Sequence, residues 1–297
     1  MIARNAVTLL AVAALALTGC PPSASQDVGK AASSRIQIKG SDTMVNLGQA
    51  WAEAFMKMKP EVSIAVTGGG SGTGIAALAN GTCDIAQCSR PIKDKEKDQI
   101  QQATQKTPVE HVVGIDALVV AVNPKNAVAS LTFDQLSDIF TGKVTNWKDV
   151  GGADKKIVVL SREKNSGTHV YFLEHVVRLG NDKGPEEYAA ETLLLPSSQA
   201  IVDEIASNED AIGYYGLGYL SAKNKALSVA KKADDKPVAP SVDAAMNASY
   251  PIARSLFFYT PGEPAGSVKE FLAFCVSDEG QKIVRKQDFV PLRAVKD

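Results

Sequence analysis

Hydrophobic residues recur along this chain at two different spacings, and the two spacings follow one another in a regular order. Every second residue is apolar between Arg35 and Lys39, and again from Val62 to Val66, which predicts β-strands. From Met44 to Met58 the apolar residues recur every three or four positions instead, which predicts an amphipathic helix. Because strand and helix alternate to the end of the chain, the pattern predicts an α/β fold with largely parallel sheets.

The same two spacings predict the remaining elements. Further strands are predicted at residues 83–91, 112–122, 157–160, 211–216 and 253–259, and further helices at residues 75–79, 93–105, 133–140, 169–177, 198–206 and 267–276. The segment at 112–122 is apolar almost throughout, as in a strand that is buried on both faces. Thr132 and Gln135 have the spacing of a capping box, which predicts the start of the helix that runs through Phe140.

Three junctions between a strand and a helix are rich in hydroxyl groups and glycines. They are Gly40-Ser41-Asp42-Thr43, Gly68 to Gly74, and Ser161 to Thr168. The first N–H groups of a helix have no partner within the helix and lie at the positive end of its dipole, so such a junction can bind an oxyanion. Glycines also let backbone N–H groups approach a ligand closely. Three junctions of one kind predict a single anion site.

Arg162 is the predicted source of positive charge at this site. Its planar guanidinium can donate to two oxygens of a tetrahedral anion at once, which a lysine cannot do with the same geometry. Ser166, Gly167 and Thr168 stand at the start of the helix that follows. The alternative interpretation is that Ser166 or Thr168 only caps that helix and that Arg162 is an exposed charge.

Ser89 and Arg90 are a fourth candidate contribution to the same site. They end the strand predicted at 83–91, where Pro91 turns the chain. Arg90 could instead pair with a structural carboxylate such as Asp84. The pattern alone leaves both interpretations open.

The glycine-rich segment does not match the motifs of nucleotide sites or serine hydrolases. No Lys-Ser or Lys-Thr follows it at the phosphate-loop spacing, and Thr73 and Ile75 fall where the last glycine of a dinucleotide motif belongs. Thr73 also takes the place of the second glycine in a nucleophile elbow around Ser71. Cysteine and histidine residues lack zinc-binding spacing. We therefore predict no catalytic residue, no metal site and no cofactor.

The first twenty residues have the features of an export signal. Arg4 provides a positive start, an apolar run from Ala6 to Leu17 is too short to span a bilayer, and Leu17-Thr18-Gly19-Cys20 resembles a bacterial lipobox. The resemblance implies cleavage before Cys20 and acylation of that residue. An ordinary secretory signal is the alternative. The polar segment from Pro21 onward then predicts a flexible tether.

Composition narrows the classes of function. The net charge is −1 and charged residues make up 22%, so no overall field favours nucleic acid as a partner. Roughly 260 residues remain after the tether, enough for one large or two medium domains. With Cys20 acylated, Cys83, Cys88 and Cys275 are left. Cys83 and Cys88 are too far apart on one strand to bridge, whereas a bridge to Cys275 or three buried thiols both remain open.

From Ile36 to Leu292 the chain resembles the periplasmic phosphate-binding proteins of the phosphate-specific ABC transporter, the PstS family. The resemblance rests on short motifs spread over this range. They are Gly40 to Thr43, the Ser71 segment, Ser89-Arg90-Pro91-Ile92, Leu131 to Trp147, Ser161 to Thr168, Ala211 to Tyr214, Glu279-Gly280-Gln281 and Phe289 to Leu292.

The resemblance implies the two-lobed periplasmic-binding-protein fold of type II, with two crossing hinge strands and a ligand cleft between the lobes. Carried onto this chain, it places residues 36–115 and 255–297 in lobe I and residues 116–254 in lobe II. Residues 1–20 would be the lipoprotein signal peptide, and residues 21–35 the tether.

The resemblance also implies the residues that bind phosphate. They are Thr43 with the backbone of Met44, Ser71, Arg162, Ser166, Gly167 and Thr168. We add Ser41, Ser89 and Arg90 as further candidates from their own positions at the strand ends. Ser89 stands where some members have an aspartate that accepts the phosphate proton, so the means of rejecting sulfate is in doubt here. Asp42 is the nearest substitute, although its position favours a helix N-cap.

The expected function is high-affinity binding of inorganic phosphate outside the cytoplasmic membrane and delivery to an ABC-type permease. The protein would be a monomer that is lipid-anchored to a bacterial membrane, in the cell envelope, facing the periplasm or the exterior. Three alternatives stay open: a receptor for sulfate, molybdate or a phosphonate; a phosphoryl-transfer enzyme; and a surface sensor on the same fold.

Overall fold

The computed structural model of the protein describes residues 34–295. The predictions for the signal segment, for Cys20 and for nearly all of the tether lie outside these residues. Among the helices of residues 34–295, none combines the length and the apolar character needed to cross a bilayer.

Strands and helices alternate as the hydrophobic pattern predicts. The strands are β1 (Ser34–Gly40), β2 (Val62–Thr67), β3 (Ile85–Cys88), β4 (Val109–Val122), β5 (Ser130–Thr132), β6 (Val158–Arg162), β7 (Leu193–Leu195), β8 (Ala211–Gly216), β9 (Lys225–Ala226), β10 (Ser228–Ala230) and β11 (Ala253–Thr260). The α-helices are α1 (Val45–Met58), α2 (Ser71–Ala79), α3 (Asp94–Thr104), α4 (Phe133–Phe140), α5 (Gly167–Phe172), α6 (Ser198–Ser207), α7 (Val242–Met246), α8 (Gly266–Val276) and α9 (Asp278–Lys286).

Shorter turns complete the chain. Residues Asp42–Met44, Trp147–Val150 and Leu217–Tyr219 are 3-10 turns, and α5 continues into a π-helical turn at Leu173–Val177. The predicted capping box at the start of α4 is confirmed, because Thr132 accepts from Gln135 N and Gln135 accepts from Thr132 N.

The strands form one mixed sheet rather than the largely parallel sheets that the alternation predicts. Nine strands pair in the order β2-β1-β3-β11-β4-β8-β6-β7, with β9 on β4, and β5 pairs with β10 separately. The outer pairs β1–β2, β1–β3, β6–β7 and β6–β8 are parallel, whereas β11 is antiparallel to β3 and β4, and β4 is antiparallel to β8. The prediction was wrong at the centre of the sheet because β4 and β11 run in opposite directions.

Strands β4 and β11 connect two halves of the molecule. The N-terminal part of β4 pairs with β11, from Val109 opposite Thr260 to Ala117 opposite Ala253, and its C-terminal part pairs with β8. We call the half that contains β1 to β3 lobe I and the half that contains β6 to β8 lobe II. This is the two-lobed arrangement with two crossing strands that the resemblance implies.

Each lobe has its own hydrophobic core. In lobe I, Trp51 packs edge-on against Phe258, and its indole N–H donates to Gly280 O (2.8 Å). In lobe II, Phe172 stacks on Tyr214 with 3.8 Å between the ring centroids. Large aromatic residues dominate the area that such cores remove from water, so each lobe buries a substantial apolar area of its own.

The structure corrects two local predictions, on α2 and on Met58, and decides between the two alternatives for the cysteines. Helix α2 begins at Ser71 and not at Ile75, so part of the glycine-rich segment is helical. Met58 closes the predicted apolar face of α1, yet it is 56% exposed. Cys83, Cys88 and Cys275 are buried free thiols, which rules out the bridge alternative, and burial raises the pKa of Cys83 to about 12.

Candidate functional site

Hydroxyl groups from both lobes meet where the strand–helix junctions face one another. Within lobe I, Ser41 Oγ donates to Ser89 Oγ (2.8 Å), and Ser89 N donates to Ser71 Oγ (3.1 Å). Between the lobes, Thr43 Oγ1 and Thr168 Oγ1 form a hydrogen bond of 2.8 Å. All five residues are buried. We call these side chains the hydroxyl cluster.

Gly167 brings the start of α5 against this cluster. A Cβ built on Gly167 would lie 2.3 Å from Ser71 Oγ and 2.7 Å from Ser89 Oγ, closer than any real contact. The next turn is held by Ser166, whose Oγ accepts from Thr168 N (3.2 Å) and His169 N (3.4 Å). Ser166 is therefore the N-cap that the sequence predicts as one interpretation, and its cap orients Gly167 and Thr168 toward lobe I.

Arg162 ends β6 beside the same junction, with a guanidinium that is only 2% exposed. Its Nη1 donates to Ser198 Oγ (3.0 Å) and lies 3.2 Å from Asp42 Oδ2, while Nη2 donates to Pro196 O (2.9 Å). Burial lowers the pKa of Arg162 and the Asp42 carboxylate opposes that shift, but an arginine keeps its proton. The interpretation as an exposed charge was wrong. Among residues 34–295, Nε has no hydrogen-bond partner.

Asp42 does not cap the helix that it precedes. Its Oδ2 accepts instead from Ser198 N (2.8 Å), the first residue of α6 in lobe II, and contacts Arg162. Its backbone oxygen accepts from Tyr219 in the same lobe (2.9 Å). The N-cap prediction was therefore wrong as to which helix is capped, and Asp42 connects the two lobes.

Met44 and Arg90 are already engaged by other parts of the protein. Met44 N donates to Ser41 O (3.2 Å) within the 3-10 turn. Arg90 donates end-on to both carboxylate oxygens of Glu96, at 2.8 and 2.6 Å. Asp84, the partner that the sequence suggests, accepts from Gln37 N instead. Burial disfavours the ionised form of Glu96, but Arg90 and Lys93 together outweigh burial, and the pKa of Glu96 is lowered.

Removing Arg90 is a test of this structural assignment. We expect Arg90→Met to lower the melting temperature by several degrees, because it leaves Glu96 partly buried without its partner, at a cost of about 1–3 kcal/mol. The affinity for the anion should stay within about twofold, because the guanidinium contacts Glu96 and Pro91. Scanning calorimetry and ligand titration check the two parts. A large loss of affinity without a change in melting temperature would contradict the assignment.

Asn165 lies at the exposed edge of the site and was not predicted. Its Nδ2 donates to Gly69 O (2.9 Å) and Thr73 Oγ1 (3.1 Å), and its backbone oxygen accepts from Gly72 N (3.0 Å). These bonds join the loop before α5 to the glycine-rich segment of lobe I. Gly70 permits this approach because it has no side chain, and a Cβ there would lie 2.8 Å from Asn165 O.

We expect Asn165→Ala to weaken anion binding by about threefold to tenfold, because two hydrogen bonds that hold the lobes together are lost. The backbone bond to Gly72 remains, so the loss should stay moderate. Asn208→Ala, which removes two side-chain hydrogen bonds within lobe II only, is the matched control. Isothermal titration of both variants checks the expectation, and equal affinities would argue against a contribution from this edge.

Two further residues escaped the sequence reasoning although each breaks an apolar strand. Asp116 lies in β4 and Arg254 in β11, directly opposite each other, and both are buried. Arg254 Nη2 donates to Thr168 Oγ1 (2.8 Å), which places a second guanidinium at the hydroxyl cluster. A charge inside a strand that otherwise reads as core was the available signal.

The assembled site is suited to binding an oxyanion. It offers hydroxyl donors from both lobes, the guanidinium of Arg162, and helix starts at α2 and α5. Among residues 34–295 no group of three or more histidine, cysteine or acidic side chains is placed to hold a metal ion. The ring of His169 contacts Ser161 Oγ (3.1 Å) beneath the site, and burial lowers the pKa of His169.

Known proteins resemble this chain over most of its length. A family model described as a PBP superfamily domain matches residues 25–279. The phosphate-binding protein PstS of Bacillus subtilis is 36% identical over 267 residues, which cover 89% of this chain and 83% of that protein.

Two solved structures share the fold. A Clostridium perfringens protein solved with bound phosphate is 31% identical with a TM-score of 0.76, and the match covers 88% of this chain and 100% of that chain. An ABC-type phosphate transport receptor from Vibrio cholerae is 29% identical with a TM-score of 0.69, with coverage of 87% and 100%.

Proposed function

Because the chain belongs to the PstS family of phosphate-binding proteins within the PBP superfamily, we propose that it binds inorganic phosphate between its lobes and delivers it to an ABC-type permease. The observation that carries this proposal is the hydroxyl cluster, to which both lobes contribute, beside the buried guanidinium of Arg162. A tetrahedral anion there would receive hydrogen bonds from both lobes at once. Its binding would thereby stabilise the closed arrangement.

The proposed ligand contacts are the residues named from the sequence, but two of them are expected to contribute less than the others. Ser41, Thr43, Ser71, Ser89 and Thr168 form the hydroxyl cluster, and Arg162, Ser166 and Gly167 adjoin it. The Arg90 guanidinium is directed to Glu96 and the Met44 N–H to Ser41 O, so both are given less weight. Hydrogen bonds to charged groups contribute roughly 1.5–3 kcal/mol each. Micromolar affinity needs about 8 kcal/mol. The converging donors are enough for such affinity after the cost of closure.

The lobe boundaries at residues 115/116 and 254/255 are part of the proposal. The hydrophobic clusters support these boundaries. Buried residues from 117 to 252 pack in one cluster, and those from 36 to 113 pack with those from 256 to 289 in two others. Val290 is an exception that packs with the lobe II core. It pairs with Ile115, next to the crossing strands.

Another oxyanion is the second candidate ligand, because of Ser89. A serine hydroxyl can donate or accept, whereas a carboxylate only accepts, so this position does not by itself reject unprotonated sulfate. Asp42 is close, but its Oδ2 is occupied by Ser198 N and Arg162. The site holds its ligand without chemistry in this proposal, as in the transport proteins that it resembles.

Calorimetric titration of the ligand-free protein with phosphate, sulfate and molybdate tests the proposal. We expect micromolar or tighter binding of phosphate, with the other two anions weaker. Tighter binding of sulfate or molybdate would replace phosphate as the ligand. Release of phosphate from a chromogenic monoester by the protein, lost in Arg162→Ala, would instead favour an enzyme.

Lipid anchoring at Cys20 is a further part of the proposal, supported by the lipobox-like residues Leu17 to Cys20. A protein with more than one acyl chain is anchored stably to a membrane. We expect Cys20→Ser to release the protein from the membrane fraction with unchanged phosphate affinity, and Ser23→Ala to stay membrane-bound as the control. Fractionation followed by titration checks this. Recovery of the Cys20→Ser protein in the membrane pellet would exclude the anchor.

A further inference from the structure

Arg254 and Asp116 form a buried ion pair between the two crossing strands. They stand opposite each other in the β4–β11 register, and their side chains are 2% and 0% exposed. Arg254 Nη2 lies 2.9 Å from Asp116 Oδ2, and Nε lies 3.3 Å from the same oxygen. The simplest account of such a pair is that it acts as a brace, which only holds the two crossing strands together.

The contacts of Arg254 differ from those of Arg90, which acts as a brace within lobe I. Arg90 donates end-on to both oxygens of Glu96. Arg254 uses only Oδ2 of Asp116, while Asp116 Oδ1 and Arg254 Nη1 are buried and have no hydrogen-bond partner within residues 34–295. Its second Nη2 hydrogen is directed to the hydroxyl cluster, where Thr168 Oγ1 lies at 2.8 Å and Thr43 Oγ1 at 3.5 Å. The geometry therefore favours the hydroxyls over a complete ion pair.

The guanidinium is held in this orientation from a third side. Its central carbon lies 5.4 Å from the ring centroid of Tyr171, within the range of a cation–π contact. The Tyr171 hydroxyl donates to Ala253 O (2.8 Å), next to Arg254 in β11. Rotation of Arg254 away from the cluster would lose the contact with Tyr171 and with Thr168 together.

The contact occupies acceptor positions on the hydroxyl oxygens at this corner of the site. A hydroxyl carries one proton, and Thr168 Oγ1 accepts from Arg254. Thr43 and Thr168 share one hydrogen bond, which uses one of their two protons. The other proton is left to donate outward. A hydroxyl that accepts from a cation also donates more strongly.

We propose that Arg254, neutralised by Asp116, is a positioning residue that fixes Thr43 and Thr168 as donors and so makes this corner select an unprotonated oxygen of the anion. This inference rests on the proposed function, because it specifies which form of phosphate the site prefers. The dianion has three unprotonated oxygens and the monoanion has two, and the oxygens of the dianion carry more charge and accept hydrogen bonds more strongly, so the site favours the dianion. No substrate contact by Arg254 itself is required.

The groups that surround Arg254 and Asp116 do not interfere with a measurement of phosphate affinity at different pH values. The charged or titratable side chains that interact electrostatically with Arg254 or Asp116 are Arg162, Tyr171, Tyr219 and Tyr250. Burial raises the pKa of all three tyrosines, so they stay neutral through the neutral range. Burial also raises the pKa of Asp116, with Arg254 opposing it, and the melting temperature of ligand-free protein at each pH records any such titration.

The test measures phosphate affinity by calorimetry at one pH below and one pH above the second ionisation of phosphate. The main variant is Arg254→Met with Asp116→Asn, which removes both charges and leaves the net charge unchanged. We expect its affinity to fall about tenfold to hundredfold at the higher pH and clearly less at the lower pH. Thr168→Val should show the same pH-dependent loss, and combining it with the main variant should add little.

The outcomes separate this inference from the proposed function. Wild-type protein that fails to bind phosphate overturns both. Wild-type binding with an equal loss at both pH values in the main variant, or a loss that adds fully to that of Thr168→Val, overturns the positioning role and leaves a brace. Arg90→Met is the control for a brace. If the main variant does not fold, Arg254→Lys keeps the charge with a different donor geometry, and an unchanged pH profile in it overturns the inference.

Discussion

Replacing Arg162 with alanine is expected to weaken phosphate binding by about thirtyfold to several thousandfold. The guanidinium is buried, and truncating one partner of a buried charged contact costs roughly 2–5 kcal/mol. The substitution has a second effect, because it leaves the Asp42 carboxylate beside the site without its partner at 3.2 Å. An uncompensated carboxylate repels the anion.

Two further variants separate these effects. Arg162→Lys keeps the charge but cannot serve Ser198, Pro196 and the ligand from one planar group, so we expect a smaller but clear loss. Arg162→Ala combined with Asp42→Asn removes both charges, so it should recover part of the affinity that Arg162→Ala loses. Titration calorimetry of the three proteins measures this. Near-wild-type affinity in Arg162→Ala would remove Arg162 from the site.

Gly167→Ala is expected to prevent full closure of the lobes and to lower phosphate affinity by about tenfold to hundredfold. The added methyl would lie 2.3 Å from Ser71 Oγ and 3.1 Å from Ser71 Cβ. Forcing a methyl group into packed surroundings costs typically 1–3 kcal/mol. Relief requires α5 to move away from lobe I, which also separates Thr168 from Thr43. The ligand then loses donors from both lobes.

The matched control for Gly167 is Gly72. It also lies in the first turn of a helix at the interface of the lobes, but its added Cβ would be 3.3 Å from the nearest atom, Asn165 O. We expect Gly72→Ala to lose no more than about threefold in affinity. Small-angle scattering adds a direct readout, since phosphate should contract the wild-type protein and the Gly72 variant but not Gly167→Ala. Contraction of Gly167→Ala to the wild-type dimension would contradict the steric argument.

Much of the fold follows from local pattern. The period of apolar residues predicted α1, α6 and β8 within a few residues, because each buries one face or both faces against a neighbouring layer. The start of α2 was placed late because glycines count against a helix by propensity. Packing of Gly74 against β1, where a Cβ would lie 2.5 Å from Lys39 O, favours glycine there regardless.

The candidate site also has a part that the sequence predicts and a part that it does not. The sequence by itself determined that Ser166 begins a helix and that Arg162 stands beside it, because a cap and its helix are neighbours along the chain. The partners of Asp42, Arg90 and Arg254 were assigned wrongly or not at all. Glu96 was passed over as one charge among many on α3.

Only the tertiary structure decided which residues of the two lobes meet at the site. Asp42 and Ser198 are 156 residues apart, and Thr43 and Thr168 are 125 apart. The pattern of one element specifies which of its faces is buried, but not which element covers that face. A buried charge is tolerated only where a partner compensates its desolvation, and that partner is chosen by the packing of strands and helices in three dimensions.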